Sequence, residues 1–133
     1  MNKKYLSKII ATDNEGLQVI SACCSGAEVK VDEIKYLQKN KVFLLSLNRS
    51  KVETDEKDKK VTSICKFEFV DRVKSKNIKQ NDPEAKLELI GMDYLKNNDN
   101  YEINLIFTNN AYITLSTEII EVTLDDQNKA SND

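Results

Sequence analysis

Tyr101, Ile103, Leu105 and Phe107 alternate with Glu102, Asn104 and Thr108, and after Asn109-Asn110 the side chains of Ala111, Ile113 and Leu115 run back at the same spacing. A period of two is the signature of a strand with one buried face, and Asn tolerates the positive φ that a tight hairpin demands. The period recurs along most of the chain. Val29 and Val31 alternate with Glu28 and Lys30, and Ile34 and Tyr36 with Glu33 and Lys35. Gln38-Lys39-Asn40-Lys41 reads as a turn. The run Val42-Phe43-Leu44-Leu45-Ser46-Leu47 predicts a central strand buried on both faces, ended by Asn48-Arg49-Ser50. Residues 61–76 form the longest extended candidate, with Cys65, Phe67 and Phe69 on one face and Lys66, Glu68, Arg72, Lys74 and Lys76 on the other. Leu87 and Leu89 begin a strand whose inward set switches to Ile90, Met92 and Tyr94. That switch beside Gly91 predicts a bulge. Ile120, Val122 and Leu124 make a last strand, and residues 125–133 read as a polar flexible tail.

One segment carries a helical period instead. Thr12 as N-cap with Glu15 three residues on fits a capping box, and Leu17, Ile20 and Cys24 follow at helical spacing with Val19 and Cys23 beside them. Ser25-Gly26 closes it, which gives a helix over about 14–24. Gly16 costs that helix about 1 kcal/mol relative to Ala. Strands joined by short turns, with no helices between them, cannot make parallel crossovers. The expected fold is therefore a single mainly-β α+β domain over 1–124. Its antiparallel sheet of about seven or eight strands is strongly bent or a partly open barrel, packed on the N-terminal helix. A pleckstrin-homology-like barrel is an analogy of fold that carries no function. Residues 51–60 hold one apolar side chain and read as a solvated loop.

Composition removes whole chemistries. The 133 residues include no His, no Trp and three Gly. No Ser-His-Asp triad, Cys-His dyad or imidazole metal site can be built, and a glycine-rich phosphate loop has little material. Lys and Arg number 20 against 22 Asp and Glu, a net charge of −2, which argues against a globally basic nucleic-acid binder but leaves room for a basic patch. Three cysteines, two of them the adjacent Cys23 and Cys24, make no disulfide framework and no CxxC metal motif. The apolar stretch behind Lys3-Lys4 is cut by Lys8 and stopped by Asp13, so no secretory leader is read there, and no segment approaches the ~20 apolar residues of a spanning helix. These features set the expectation of a cytoplasmic, non-catalytic protein with no cofactor, no bound metal and no membrane partner.

The sequence also resembles a known family. Glu15 to Ala22, Val29-Lys30-Val31, Ile34-Lys35-Tyr36-Leu37 and Phe43 to Arg49 carry the likeness in the first half. Phe67 to Ile78 and the stretch from Ile113 to Leu124 carry it in the second. The resemblance is to small alphaproteobacterial proteins grouped as domain of unknown function 2948. It covers nearly the whole chain and implies a cytoplasmic bacterial protein, with no established activity to carry over.

The sharpest surface feature is a basic stripe. Arg72, Lys74 and Lys76 leave one strand face about 7 Å apart, with Lys66 expected further back on the same face and Lys79 and Lys57-Asp58-Lys59-Lys60 near its ends. Evenly spaced cations suit an acidic protein partner or RNA, and the same lysines can guard a sheet edge. Arg49 and Arg72 are the only two arginines in a chain of 18 lysines, which marks both as candidate bidentate donors. The partner surface read from sequence is thus Arg49, Arg72, Lys74 and Lys76. The favoured partner is a protein, with RNA or the ribosome as the alternative. A small-ligand carrier or enzyme using Asn48, Arg49 and Tyr94 around a barrel mouth ranks last.

Overall fold

A computed structural model describes residues 7–50 and 60–127. Its ten strands are β1 (Lys8–Ala11), β2 (Ala27–Lys30), β3 (Ile34–Leu37), β4 (Val42–Ser50), β5 (Lys60–Phe67), β6 (Val70–Lys76), β7 (Lys86–Asn97), β8 (Asn100–Phe107), β9 (Ala111–Thr117) and β10 (Val122–Asp126). One α-helix, α1 (Asn14–Cys24), falls where the periodicity places it. All pairings are antiparallel. The order is β1-β10-β5-β4-β2-β7-β8-β9-β6, with β3 on β4 alongside β2. The sheet is bent and open: its end strands β1 and β6 do not pair with each other, so it is not a closed barrel.

The helix start differs from the sequence reading. Asp13, not Thr12, is the N-cap: its backbone is extended at φ −148° and its side chain accepts a 2.8 Å hydrogen bond from the Gly16 N–H. The cap has to sit directly before the first helical residue, and Thr12 lies one residue too early. Gly16 permits a close crossing, since a Cβ there would lie 3.0 Å from Ala11 of β1. Leu17, Ile20, Cys23 and Cys24 bury one face of α1 in the core, whereas Val19 is 49% exposed on the other.

The expected bulge in β7 is present. The register shifts between Leu89 and Gly91, but the inward set is Leu87, Leu89 and Met92: Ile90, expected inward, is 51% exposed because the bulge takes up the extra residue. Ser21 of α1 accepts the Met92 N–H at 2.8 Å, so the helix satisfies a buried donor beside the bulge. Asparagines supply the turns: Asn98, Asn109 and Asn110 hold φ of 58°, 65° and 58°.

Three extents change. β4 is not buried on both faces: Phe43, Leu45 and Leu47 are buried, while Val42, Leu44 and Ser46 are half-buried. It also runs through Asn48-Arg49-Ser50 instead of ending there. The stretch 61–76 is two strands, because Phe69 takes φ 59° and turns the chain between β5 and β6. The proposed tail does not begin at 125: β10 continues to Asp126, where Asp125 pairs with Lys8 and Ile64 and Asp126 with Ser63. The solvated-loop reading of 51–60 falls outside the described residues except at Lys60.

Candidate functional site

The basic stripe lies on an edge. Among the described residues β6 pairs with β9 alone, so beyond Val70 its other side is a strand edge with no strand partner. Phe69 in the left-handed region and a register shift at Asp71 set the strand's parity. After the shift, Arg72, Lys74 and Lys76 are exposed, standing opposite Ser116, Thr114 and Tyr112 of β9. Directly opposed residues of an antiparallel pair share a face, so these six form one outer surface. None of the three cations makes an ion pair among the described residues. Along the Arg72–Ser116 row the first acidic residue is Glu102 of β8, two strands away. Further along the outer face a polar ladder runs Thr114–Asn104–Asp93, with bonds of 2.9 and 3.1 Å.

Lys66 does not extend the stripe. It sits on β5, which pairs with β4 and β10, and its ammonium lies 3.0 Å from Glu68. The turn at Phe69 separates the two strands that a continuous period-two reading joins. Lys60 is likewise on β5, Lys79 is exposed in the connection after β6, and Lys57 and Lys59 lie outside the described residues.

The other side of β6 lines a cleft. Val73 and Ser75 line it together with Ile34 and Tyr36 of β3, Val31 and Asp32 just before β3, Phe43 and Ile113, and Ile78, Gln80 and Pro83 of the connection after β6. Its volume is about 430 Å³. Among the described residues β3 pairs only with β4, so two strand edges, β3 and β6, flank this cleft without bonding to each other as strands. One end is tied: the Tyr36 hydroxyl donates to the Val70 carbonyl at 2.8 Å, the Val70 N–H donates to the Lys41 carbonyl at 2.8 Å, and Lys41 pairs with Asp71 at 3.0 Å. The hydrogen bond from Lys41 to Asp71, then its charge, raises the Lys41 ammonium above the ordinary lysine range. Inside the cleft the Gln80 amide donates to Ser75 Oγ at 3.0 Å.

Arg49 is not on this surface. It is fully buried, and the sequence assignment of it to a contact surface is corrected. Its Nη2 lies 3.0 Å from Asp126 Oδ1, its Nε donates to Ser63 Oγ at 3.0 Å, and Ser63 donates in turn to Asp126 Oδ1 at 2.7 Å. Its Nη1 reaches the carbonyls of Cys23, in the last turn of α1, and Ser50. Burial pushes the Asp126 carboxyl up, but bonds from Ser63, the Ser7 N–H and Arg49 outweigh it and hold the group below the usual carboxylate range. The signal for this cluster is parity: Arg49 continues the inward set Phe43-Leu45-Leu47, Ser63 precedes Cys65-Phe67, and Asp126 follows Val122-Leu124. Three polar residues of inward parity on adjacent strands have to meet, and the register sets Asp126 directly opposite Ser63. Asn48 is exposed on the opposite face of β4, and the Tyr94 ring packs 5.9 Å from Tyr101, so Asn48, Arg49 and Tyr94 do not gather around one mouth.

The three cysteines are buried. A hydrogen bond with Cys24, then burial, raises the Cys65 thiol well above its ordinary range, the opposite of an activated nucleophile. Among the described residues no group of three or more Cys, Asp or Glu side chains is placed to hold a metal ion, and no helix is long and apolar enough to cross a membrane.

No curated protein and no solved structure matches the chain. A family model does, over residues 7–132, and that span contains every element described above. The chain therefore belongs to the family described as "Protein of unknown function (DUF2948)".

Proposed function

We propose that this chain is a non-catalytic, cytoplasmic protein-interaction module whose β6 edge accepts an extended acidic segment of another protein. The observation that carries the reading is an unpaired strand edge bearing three exposed cations, Arg72, Lys74 and Lys76, that no described carboxylate neutralises. A strand added to such an edge gains main-chain hydrogen bonds, and its side chains supply the specificity. The same cations oppose pairing with a second copy, since like charges directly opposite are destabilising. Each exposed ion pair contributes only about 0.2–1 kcal/mol and is screened by salt. The stripe thus selects the partner and speeds encounter more than it supplies affinity.

RNA is the second reading. It rests on Tyr112, an exposed ring opposite Lys76 that offers a base-stacking surface beside a cation. Fluorescence anisotropy with a labelled nine-residue Glu-rich peptide and with a labelled uridine decamer separates the two. The protein reading predicts that the peptide binds, that the Arg72→Glu, Lys74→Glu double variant loses about tenfold or more in affinity, and that the decamer does not compete. Binding of the decamer with a steep salt slope, and none of the peptide, favours RNA and overturns the ranking.

A further inference from the structure

We infer that the segment taken by the β6 edge alternates acidic and large apolar residues, in the order acidic–apolar–acidic–apolar–acidic. This rests on the strand-addition reading and specifies its ligand. The two sides of β6 differ in chemistry with a period of two. Arg72, Lys74 and Lys76 point outward, whereas Val73 and Ser75 line the cleft of about 430 Å³. A strand laid along the free edge, about 4.8 Å away, shares that alternation, because paired residues in a ladder point to the same face. Its residues beside 72, 74 and 76 lie among cations. Its residues beside 73 and 75 lie over the cleft, where the half-buried Ile34 and Val73 offer apolar surface above the buried Phe43 and Ile113.

The cleft opens to solvent, and its volume of about 430 Å³ falls in the ~300–1,000 Å³ range of ligand sites. A wholly acidic strand would leave it without an apolar occupant and would place carboxylates over Val73. A wholly apolar strand would leave the cations without partners. The alternating strand satisfies both faces at once. Its five residues match the span of Arg72 to Lys76.

The test uses the full chain and three labelled peptides of equal length, with cores Glu-Ile-Glu-Ile-Glu, Glu-Ser-Glu-Ser-Glu and Gln-Ile-Gln-Ile-Gln. The alternating peptide is expected to bind about tenfold or more tighter than either of the others, the scale set by burying one aliphatic side chain or losing several charge pairs. Ser75→Phe, which fills part of the cleft, should cut the preference for the alternating peptide over the serine peptide to about twofold. Equal binding of the isoleucine and serine acidic peptides overturns the inference and leaves strand addition standing. If no peptide binds, both readings fall.

Discussion

Arg49 shows how a single position changes meaning when its parity is read. As one of two arginines in a lysine-rich chain it looks like a surface contact, yet the strand's own alternation carries it inward to Asp126 and Ser63. Removing one partner of a buried charged pair leaves the other uncompensated, at a cost of about 3–5 kcal/mol. Asp126→Asn should destabilise by about that amount in urea unfolding at neutral pH, and Arg49→Met with Asp126→Leu should lie closer to wild type than either single change. The pH dependence has a definite sign. The folded carboxyl sits below its unfolded value of about 3.9, so its contribution is complete above that pH and is lost as pH falls through the lowered folded value. The gap between wild type and Asp126→Asn should therefore narrow on acidification below about pH 4. Thr117 gives an opposite case. Its buried hydroxyl has no hydrogen-bond partner among the described residues, so Thr117→Val should stabilise by about 1 kcal/mol, read as a raised urea midpoint with an unchanged slope.

At the scale of elements, local rules located most of the structure and failed where a single residue redirected the backbone. The α1 helix, the Gly91 bulge and the asparagine hairpins follow from periodicity and turn chemistry alone. The break between β5 and β6 does not, because a Phe in the left-handed region leaves no sequence signature: it is imposed by the bonds of neighbouring residues to Lys41 and Glu121. Two acidic residues before a polar terminus look solvated, yet β10's inward parity runs through Asp126. Gly16 tests the packing account of α1. Helix propensity alone predicts that Gly16→Ala stabilises by about 1 kcal/mol. The 3.0 Å approach of a Cβ to Ala11 predicts destabilisation instead, by about 1–3 kcal/mol in chemical unfolding. Ser21→Ala should cost about 1–3 kcal/mol, since it leaves the Met92 N–H at the bulge buried without its acceptor.

Across the whole molecule the polar residues divide between two sites with different work. The buried group around Arg49 ties β4, β5 and β10 together beneath the end of α1. The exposed group on β6 lies at the far end of the strand order, with β9 on one side and the cleft below it. Residue composition made catalysis an unpromising reading, and alternation located the stripe. What alternation could not supply was the identity of the edge, which depends on how nine other strands order themselves. The claim that β6 is the docking edge is tested most directly by amide hydrogen exchange of the full chain, with and without the Glu-Ile-Glu-Ile-Glu peptide. Binding is predicted to slow exchange at alternate amides of β6 and to leave β1, the opposite end of the sheet, unchanged. Protection at β1 or elsewhere with β6 unaffected would contradict the account.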